Sequence, residues 1–577
     1  MVPGVEVAQI DANKWAITCR GFNGLYADKL LVQIDGRAVY SQVFSGVFWD
    51  AQDLPLEDVA RIEVVRGPGA TVWGANAVNG VINIITKNAQ NTQGLLAVAG
   101  TGTQYREFGT VRYGGQAGDD LYWRMYGKQF NRDLGNFPGL EGDFDDWQQA
   151  RGGFRTDWQP SDSDAITVQG DFYDGRSGNA LIDSFPTAPY SRLVQFDTPI
   201  AGQNFLGRWT RSVDEDADWA LQTYYDRIIR DSFIGDLEQT TFDLDFQYHF
   251  LWNESHNIVC GTGYRRIDTD TTGSFSTSYD PPQRSTDLFS YFVQDEIALE
   301  EDRWYTVVGS KFEHNDFTGF EFQPTLRLLF LPSERETLWA AVSRAVRIPS
   351  LTNENVVFRS ALTPLDPEFV ELRGNTSLAA EELLAWELGY RAQPSDDFSW
   401  DLAMFYNDYT DLIGIESAGA PFFDPTIGGI IIPTRFANSL AGDTYGAELA
   451  STMRMNPRWE ITGAYTLLYM DIHAPEGNLI EGSSPHNQVY LRSSWNPRRD
   501  WRVDLIGRYV DNLPALAVPS YLTGDVRLAW RPVDNLEWAV VGRNLIDSPH
   551  SEFTEAVSGV VGSEVYPEVF TTLTWTY

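Results

Sequence analysis

The sequence predicts a membrane protein of the all-β class: an outer-membrane antiparallel β-barrel of about 22 strands, with a small α/β plug domain in its lumen. Three observations predict it. No stretch approaches the roughly 18 consecutive apolar residues of a membrane helix, and the longest runs, such as Leu95–Ala99 and Gly429–Pro433, are very short. Aromatic residues are abundant, with 19 Trp, 26 Tyr and 33 Phe, as the interfacial girdles of a barrel require. From about Gly94 onward, apolar and polar residues alternate with a period of two, as in strands with one apolar face.

Composition narrows the remaining classes. The chain has 577 residues, 43 basic and 80 acidic side chains, and a net charge of −37. A nucleic-acid binder would need a basic face, and the apolar content is too high for a disordered acidic tail. Two cysteines exclude a disulfide scaffold and a metal clip. Cys19 reads as a small buried apolar residue, and Cys260 would pair with it only if the fold brought the two together. A large soluble acidic β-protein would show the same alternation, so loop lengths must decide.

The first 93 residues form a separate unit, with the barrel over 94–577. They hold seven basic and nine acidic side chains, so almost all the excess negative charge lies in the remainder. Leu30–Ile34 and Gly80–Thr86 are short apolar runs bounded by Gly and Asp, which predicts buried strands. Between them, Asp53 to Arg61 has an Asp cap, Pro55 and early acids, predicting a short helix start. Ile62–Val65 then reads as a strand leading into Gly67-Pro-Gly69.

In the second unit, polar turns recur at Gln116–Asp120, Trp158–Ser161, Ser212–Asp218, Trp252–His256, Glu300–Arg303, Leu331–Glu334, Ala392–Ser395, Met455–Arg458, Trp495–Arg498 and Trp530–Val533. Each intervening segment has room for two strands and a loop, so ten turns on one rim predict about 22 strands. Short turns on one rim and long loops on the other are the outer-membrane pattern, and a lumen this wide needs a plug. Long loops are expected at Tyr173–Gln203, Val346–Leu383 and Asp408–Ala441.

These residues also carry a family resemblance. Ile17-Thr-Cys-Arg20-Gly-Phe22, Leu31-Val-Gln-Ile-Asp35-Gly36-Arg37 and above all Arg61 to Lys87, with Arg66-Gly-Pro-Gly-Ala-Thr-Val-Trp-Gly74 at its centre, resemble the plug of TonB-dependent outer-membrane receptors. Ser343 to Ser350, Trp386 to Tyr390, Phe405 to Ile413, Thr444 to Leu449 and Gly542 to Asp547 are similar to the family's barrel. The aromatic C-terminal Tyr577 resembles the signal read by the barrel-assembly machinery. The resemblance implies a plug–barrel lock in which Arg20 and Arg66 pair with Glu387 and Glu448, since a buried charge needs a partner. The competing reading is lumen-facing polar residues in contact with water.

The chain opens Met1-Val-Pro-Gly, without the basic start and apolar core of a signal peptide. By the resemblance, the signal peptide, the TonB-binding segment and the first plug elements are expected upstream of Met1, lost to a mis-called start or a truncated gene. The resemblance further implies a monomer in the cell outer membrane, in contact with lipid and lipopolysaccharide. It would import a scarce ligand by energy-coupled plug rearrangement with the TonB complex, without a cofactor or nucleic acid. A ferric siderophore is the first expectation. Cobalamin, haem, another metal complex, an oligosaccharide or a non-functional remnant are the alternatives.

No Walker loop, Gly-x-Ser-x-Gly elbow or His-Glu-x-x-His is present, and the six histidines are scattered, so no enzymatic activity is expected. In the outer loops, Tyr190, Phe358, Phe369, Phe422 and Phe423 are candidates for stacking on a ligand, or for packing the loops themselves. Asp143, Asp145 and Asp146 would offer oxygen ligands to Ca²⁺, or simply solvate their loop.

Overall fold

The computed structural model describes residues 2–132, 144–474, 480–554 and 559–577. Its main feature is a closed antiparallel barrel of 22 wall strands. The first wall strand, Gly94–Gly102, pairs with the last, Glu568–Thr576, and this contact closes the cylinder. Closure leaves no wall strand with an unpaired edge in the hydrocarbon layer, where water cannot satisfy backbone groups.

Alternation sets the two sides of the wall. On Gln283–Glu300, Phe289, Tyr291 and Val293 are 55%, 51% and 36% exposed, while Phe292 between them points inward at 2%. On Leu121–Arg132 the inward row holds Arg124, Tyr126, Lys128, Phe130 and Arg132, and Met125 faces out. Charged residues thus occupy lumen positions that a hydropathy average hides.

The ten short turns lie on one rim at the places the polar stretches predict. Several strands run further than expected, however. Pro332, Pro394, Pro497 and Pro532 sit inside strand ends, each where the cross-strand register breaks. A proline lacks the ladder donor, and a register break is where that donor is dispensable.

The opposite rim differs more from expectation. Tyr173–Gln203 is mostly a hairpin of Asp164–Ser184 and Ser191–Ser212, leaving only a short connection. Asp408–Ala441 is likewise dominated by Phe398–Ser417 and the 28-residue strand Gly429–Asn456. A bilayer needs about 9–11 residues per strand, so these ladders continue into the outer space. Within Val346–Leu383 are a short helix, Leu351–Asn355, and the strands Val356–Ala361 and Glu368–Arg373.

The N-terminal unit fills the lumen. Its core sheet pairs Leu30–Ile34 with Gly80–Thr86 in parallel and Gly80–Thr86 with Val59–Arg66 antiparallel. The expected helix after Asp53 is only the 3₁₀ turn Leu56–Asp58, because Val59 already pairs with Thr86 and the chain continues as a strand. Asp35 and Gly36, at φ 52° and 85°, turn the chain from Leu30–Ile34 into the short strand Arg37–Ala38. Two successive positive φ values match the strand twist of a tight hairpin.

Candidate functional site: the plug–wall interface and the outer loops

Arg20 lies at the most densely charged point of the interface. Its Nη1 donates to Glu387 Oε1 at 2.7 Å, its Nε to Glu448 Oε1 at 2.9 Å, and its guanidinium covers the Phe405 ring at 4.2 Å. Arg66 Nη1 donates to Glu448 Oε2 at 2.9 Å and its Nη2 to Asp401 at 3.2 Å. Glu448 is fully buried, and Arg20 and Glu387 nearly so. The four residues named from the resemblance therefore meet in one network, which Asp401 extends. The backbone there is shaped for close approach. Arg20 has φ 55°, a strained value for a non-glycine residue. Gly4 and Gly67 also have positive φ, and a Cβ at either would strike the Glu448 or Glu387 carboxylate.

Sequence reasoning missed several further pairs. Glu381 accepts from Arg347 through both oxygens at 2.7 Å and from Lys29 at 2.6 Å. Asp50 takes both Arg230 terminal nitrogens, at 2.9 and 2.8 Å. Arg37 Nη1 reaches Asp226 at 2.7 Å, and Asp58 meets Arg112 and Arg124. A pattern emerges: the plug bases Arg20, Lys29 and Arg66 face wall acids, whereas Asp50, Asp53 and Asp58 face wall bases. Arg37 also faces a wall acid, Asp226, but on the same strand as Arg230. The legible signal was basic residues at alternating inward positions of a strand, as at Arg124, Lys128 and Arg132.

Two carboxyls near the outer side of the plug are perturbed. Burial pushes Glu6 up to about 8, opposed by Arg508 and reinforced by Glu552. Burial likewise raises Asp145 to about 7, with Asp11 adding to it. Burial would also raise Asp50, but the Arg230 guanidinium wins and holds it below the usual carboxylate range.

The loop aromatics divide into two groups. Phe369 is fully buried between Tyr190, at 6.0 Å, and Phe275, at 5.3 Å, so it and Tyr190 pack the loops. Phe358 sits half-buried in the outer sheet, paired with Thr277 and Leu372. Phe422 and Phe423 stand out at 48% and 64% exposure. Of the acidic trio, Asp143 lies outside the described residues. Asp145 accepts from the Ala12 amide at 2.7 Å, whereas Asp146 bonds Arg176 at 3.0 Å. The two carboxyls thus serve different partners, and no group of three or more metal-type ligands occurs among the described residues. Cys19 and Cys260 are both free, and burial pushes the Cys19 thiol up to about 12.

A closed 22-strand wall around an ion-paired N-terminal domain defines a plugged outer-membrane receptor. Two family models match it in series: the TonB-dependent Receptor Plug Domain over residues 1–81 and the TonB dependent receptor-like, beta-barrel over residues 88–545. The chain belongs to the TonB-dependent receptors and is an outer-membrane β-barrel protein. It is 24% identical over 474 residues to the ferrienterobactin receptor of Escherichia coli, covering 68% of this chain. It spans only 62% of that receptor's length. A vitamin B12 transporter of Vibrio vulnificus is 24% identical over 557 residues, covering 89% of this chain and 84% of that one. A variant of the ferric enterobactin receptor of Pseudomonas aeruginosa has the same fold, with a TM-score of 0.79 at 18% identity over 100% of this chain and 94% of that one.

Proposed function

We propose that this protein imports a ferric siderophore across the outer membrane by rearranging its plug, with energy delivered by the TonB complex. The observation that carries the reading is the join between plug and wall. Buried ion pairs hold the plug in a lumen that it occludes, and Arg20 and Arg66 on the plug share Glu448 on the wall. Ion pairs can be separated and re-formed as the plug moves, and a passive pore has no use for an occluding domain. In this reading, Arg20, Arg66, Glu387 and Glu448 form the lock, and the exposed Phe422 and Phe423 make first contact with the ligand. The relatives named for ferric enterobactin favour an iron chelate. A second reading, cobalamin import, is favoured by the vitamin B12 transporter, which matches the longer share of both chains.

The test is uptake in cells lacking their own receptors and expressing this one from a full-length gene. Radioactive ferric siderophores and cyanocobalamin are offered with and without a protonophore. Accumulation of a ferric siderophore that the protonophore abolishes is the expected result. Protonophore-sensitive uptake of cobalamin alone would replace the first reading with the second, and equal entry with and without the protonophore would overturn both.

A further inference from the structure

The two sides of the plug are packed differently. Toward Glu336–Arg347, Glu381–Ser395 and Phe398–Ser417 the contact is built around apolar side chains. Val78 and Phe22 join an apolar cluster with Leu383, Tyr409 and Leu412, and the Tyr409 hydroxyl donates to Asn79 at 2.8 Å. Toward the wall from Leu121–Arg132 to Trp304–Asn315, two cavities separate plug from barrel. The outer one, about 60 Å³, lies between Ala38 and Gln42 of the plug and Tyr224, Thr241 and Arg265 of the wall, and reaches Phe317 and Pro349 in the outer loops. The inner one, about 40 Å³, lies between Asp35, Arg37 and Asp58 of the plug and Arg124, Tyr126 and Arg155 of the wall. Arg124 and Arg155 are near the short-turn ends of their strands.

Both volumes admit water, and both are polar enough to hold it. The buried hydroxyls of Tyr224, on the outer cavity, and Tyr126, on the inner, find no protein partner among the described residues. Such groups are otherwise satisfied by ordered water. One ion pair lies where the two cavities approach each other. Arg37 borders the inner cavity and its neighbour Ala38 the outer one. Asp226, the partner of Arg37, is paired across the sheet with Asn204 of the inner cavity and with Thr241 of the outer. The Asp35-Gly36 turn places Arg37 at that point, with the pair side chains 6% and 9% exposed.

We propose that passage through this receptor follows this hydrated seam, and that the Arg37–Asp226 pair is the partition that keeps it shut at rest. The inference rests on the import reading for its purpose, but its test requires neither ligand nor energy coupling. The first measurement is hydroxyl-radical footprinting of the unmodified, membrane-reconstituted protein. Tyr224 and Tyr409 are equally buried, at 2% and 1%, so exposure alone predicts equal protection. The seam predicts that Tyr224 oxidises at least about fivefold faster than Tyr409, because radicals form in the water beside it. Equal rates would overturn it.

The second measurement is ion conductance in planar bilayers. Arg37→Gln with Asp226→Asn neutralises the partition at nearly constant shape, and should raise conductance at least about tenfold over the parent as the two cavities join. Adding Ala38→Trp, which fills the outer cavity, should return it to the parent level. Parent-level conductance from the folded neutral pair, or a leak that survives Ala38→Trp, would contradict the assignment. Heat-dependent gel migration reads whether each barrel is closed, and the footprint decides the question should the neutral pair fail to fold.

Discussion

Glu448 is fully buried and serves Arg20 and Arg66 together. Glu448→Gln keeps its shape but leaves Arg20 with Glu387 alone and Arg66 with Asp401 alone, and the lost charge-assisted bonds are expected to cost about 1.5–3 kcal/mol. Asp401→Asn, at a half-open site, should cost no more than about 1 kcal/mol. Denaturant titration of plug unfolding, followed by tryptophan fluorescence, checks both, and equal effects would mean that burial does not set the strength of the network. Gly67→Ala should also destabilise by more than about 1 kcal/mol, since φ is positive and Glu387 already occupies the space. Glu6 gives a pH dependence. It holds its proton up to about pH 8 in the fold, while an ordinary carboxyl loses it near 4.5. The folded state therefore binds more protons between these values, and stability falls as pH rises through the window and levels off above it. Asn23, Arg508, Glu552 and His550 surround this site. Melting temperatures from pH 5 to 9 should fall less for Glu6→Gln than for the parent, and parallel curves would show that Glu6 is not responsible. The pairing of Arg20 and Arg66 with Glu387 and Glu448 was legible in the sequence because these residues lie in long, distinctive motifs. Arg37–Asp226 and Asp50–Arg230 were not, because the sequence shows charges but not which of many wall strands faces a given plug turn. The burial of Phe369 was equally hidden, since it depends on Tyr190 and Phe275 from distant loops.

Among the elements, the wall strands were the most legible and the outer hairpins the least. Alternation with lipid-facing aromatics identifies a strand, and a short polar turn identifies its inner end. Nothing in the sequence marks where a ladder leaves the bilayer, because backbone pairing continues in water with polar side chains on both faces. That is why Asp164–Ser184 and Ser191–Ser212 extend through a region that reads as loop. Proline misled in the same way, looking like a turn residue where it occupies a register break within the last strand residues. The expected helix after Asp53 failed because sheet pairing of Val59–Arg66 outweighs a local helix-start signal. The strands' lipid face makes its own prediction. Tyr291 stands between the outward-facing Phe289 and Val293 near the middle of its strand, so Tyr291→Arg should destabilise the barrel by about 2–4 kcal/mol. Phe423→Arg, on an outer hairpin, should change stability by less than about 0.5 kcal/mol. Urea unfolding in lipid vesicles separates the two, and a similar cost at both would place Tyr291 outside the bilayer.

At the scale of the molecule, the plug is an electrostatic wedge. Most of its interface bases face the acids of one half of the wall and most of its interface acids face the bases of the other, so the charge pattern fixes its orientation as well as its depth. The Arg20–Glu387–Glu448 network lies on one side of the plug, and the two cavities lie on the other. That arrangement makes movement of the plug away from the wall the central event in the account. It is tested most directly by tethering the two where the cavities meet. With Cys19→Ala and Cys260→Ala as background, Arg37→Cys and Asp226→Cys are joined by a short, reducible bifunctional thiosulfonate, and uptake of the transported ligand is measured before and after reduction. The account predicts that binding persists in the tethered receptor, that uptake falls to the level of cells without it, and that reduction restores uptake. Undiminished uptake by the fully tethered receptor would contradict the account, because the ligand would then pass without the plug leaving the wall.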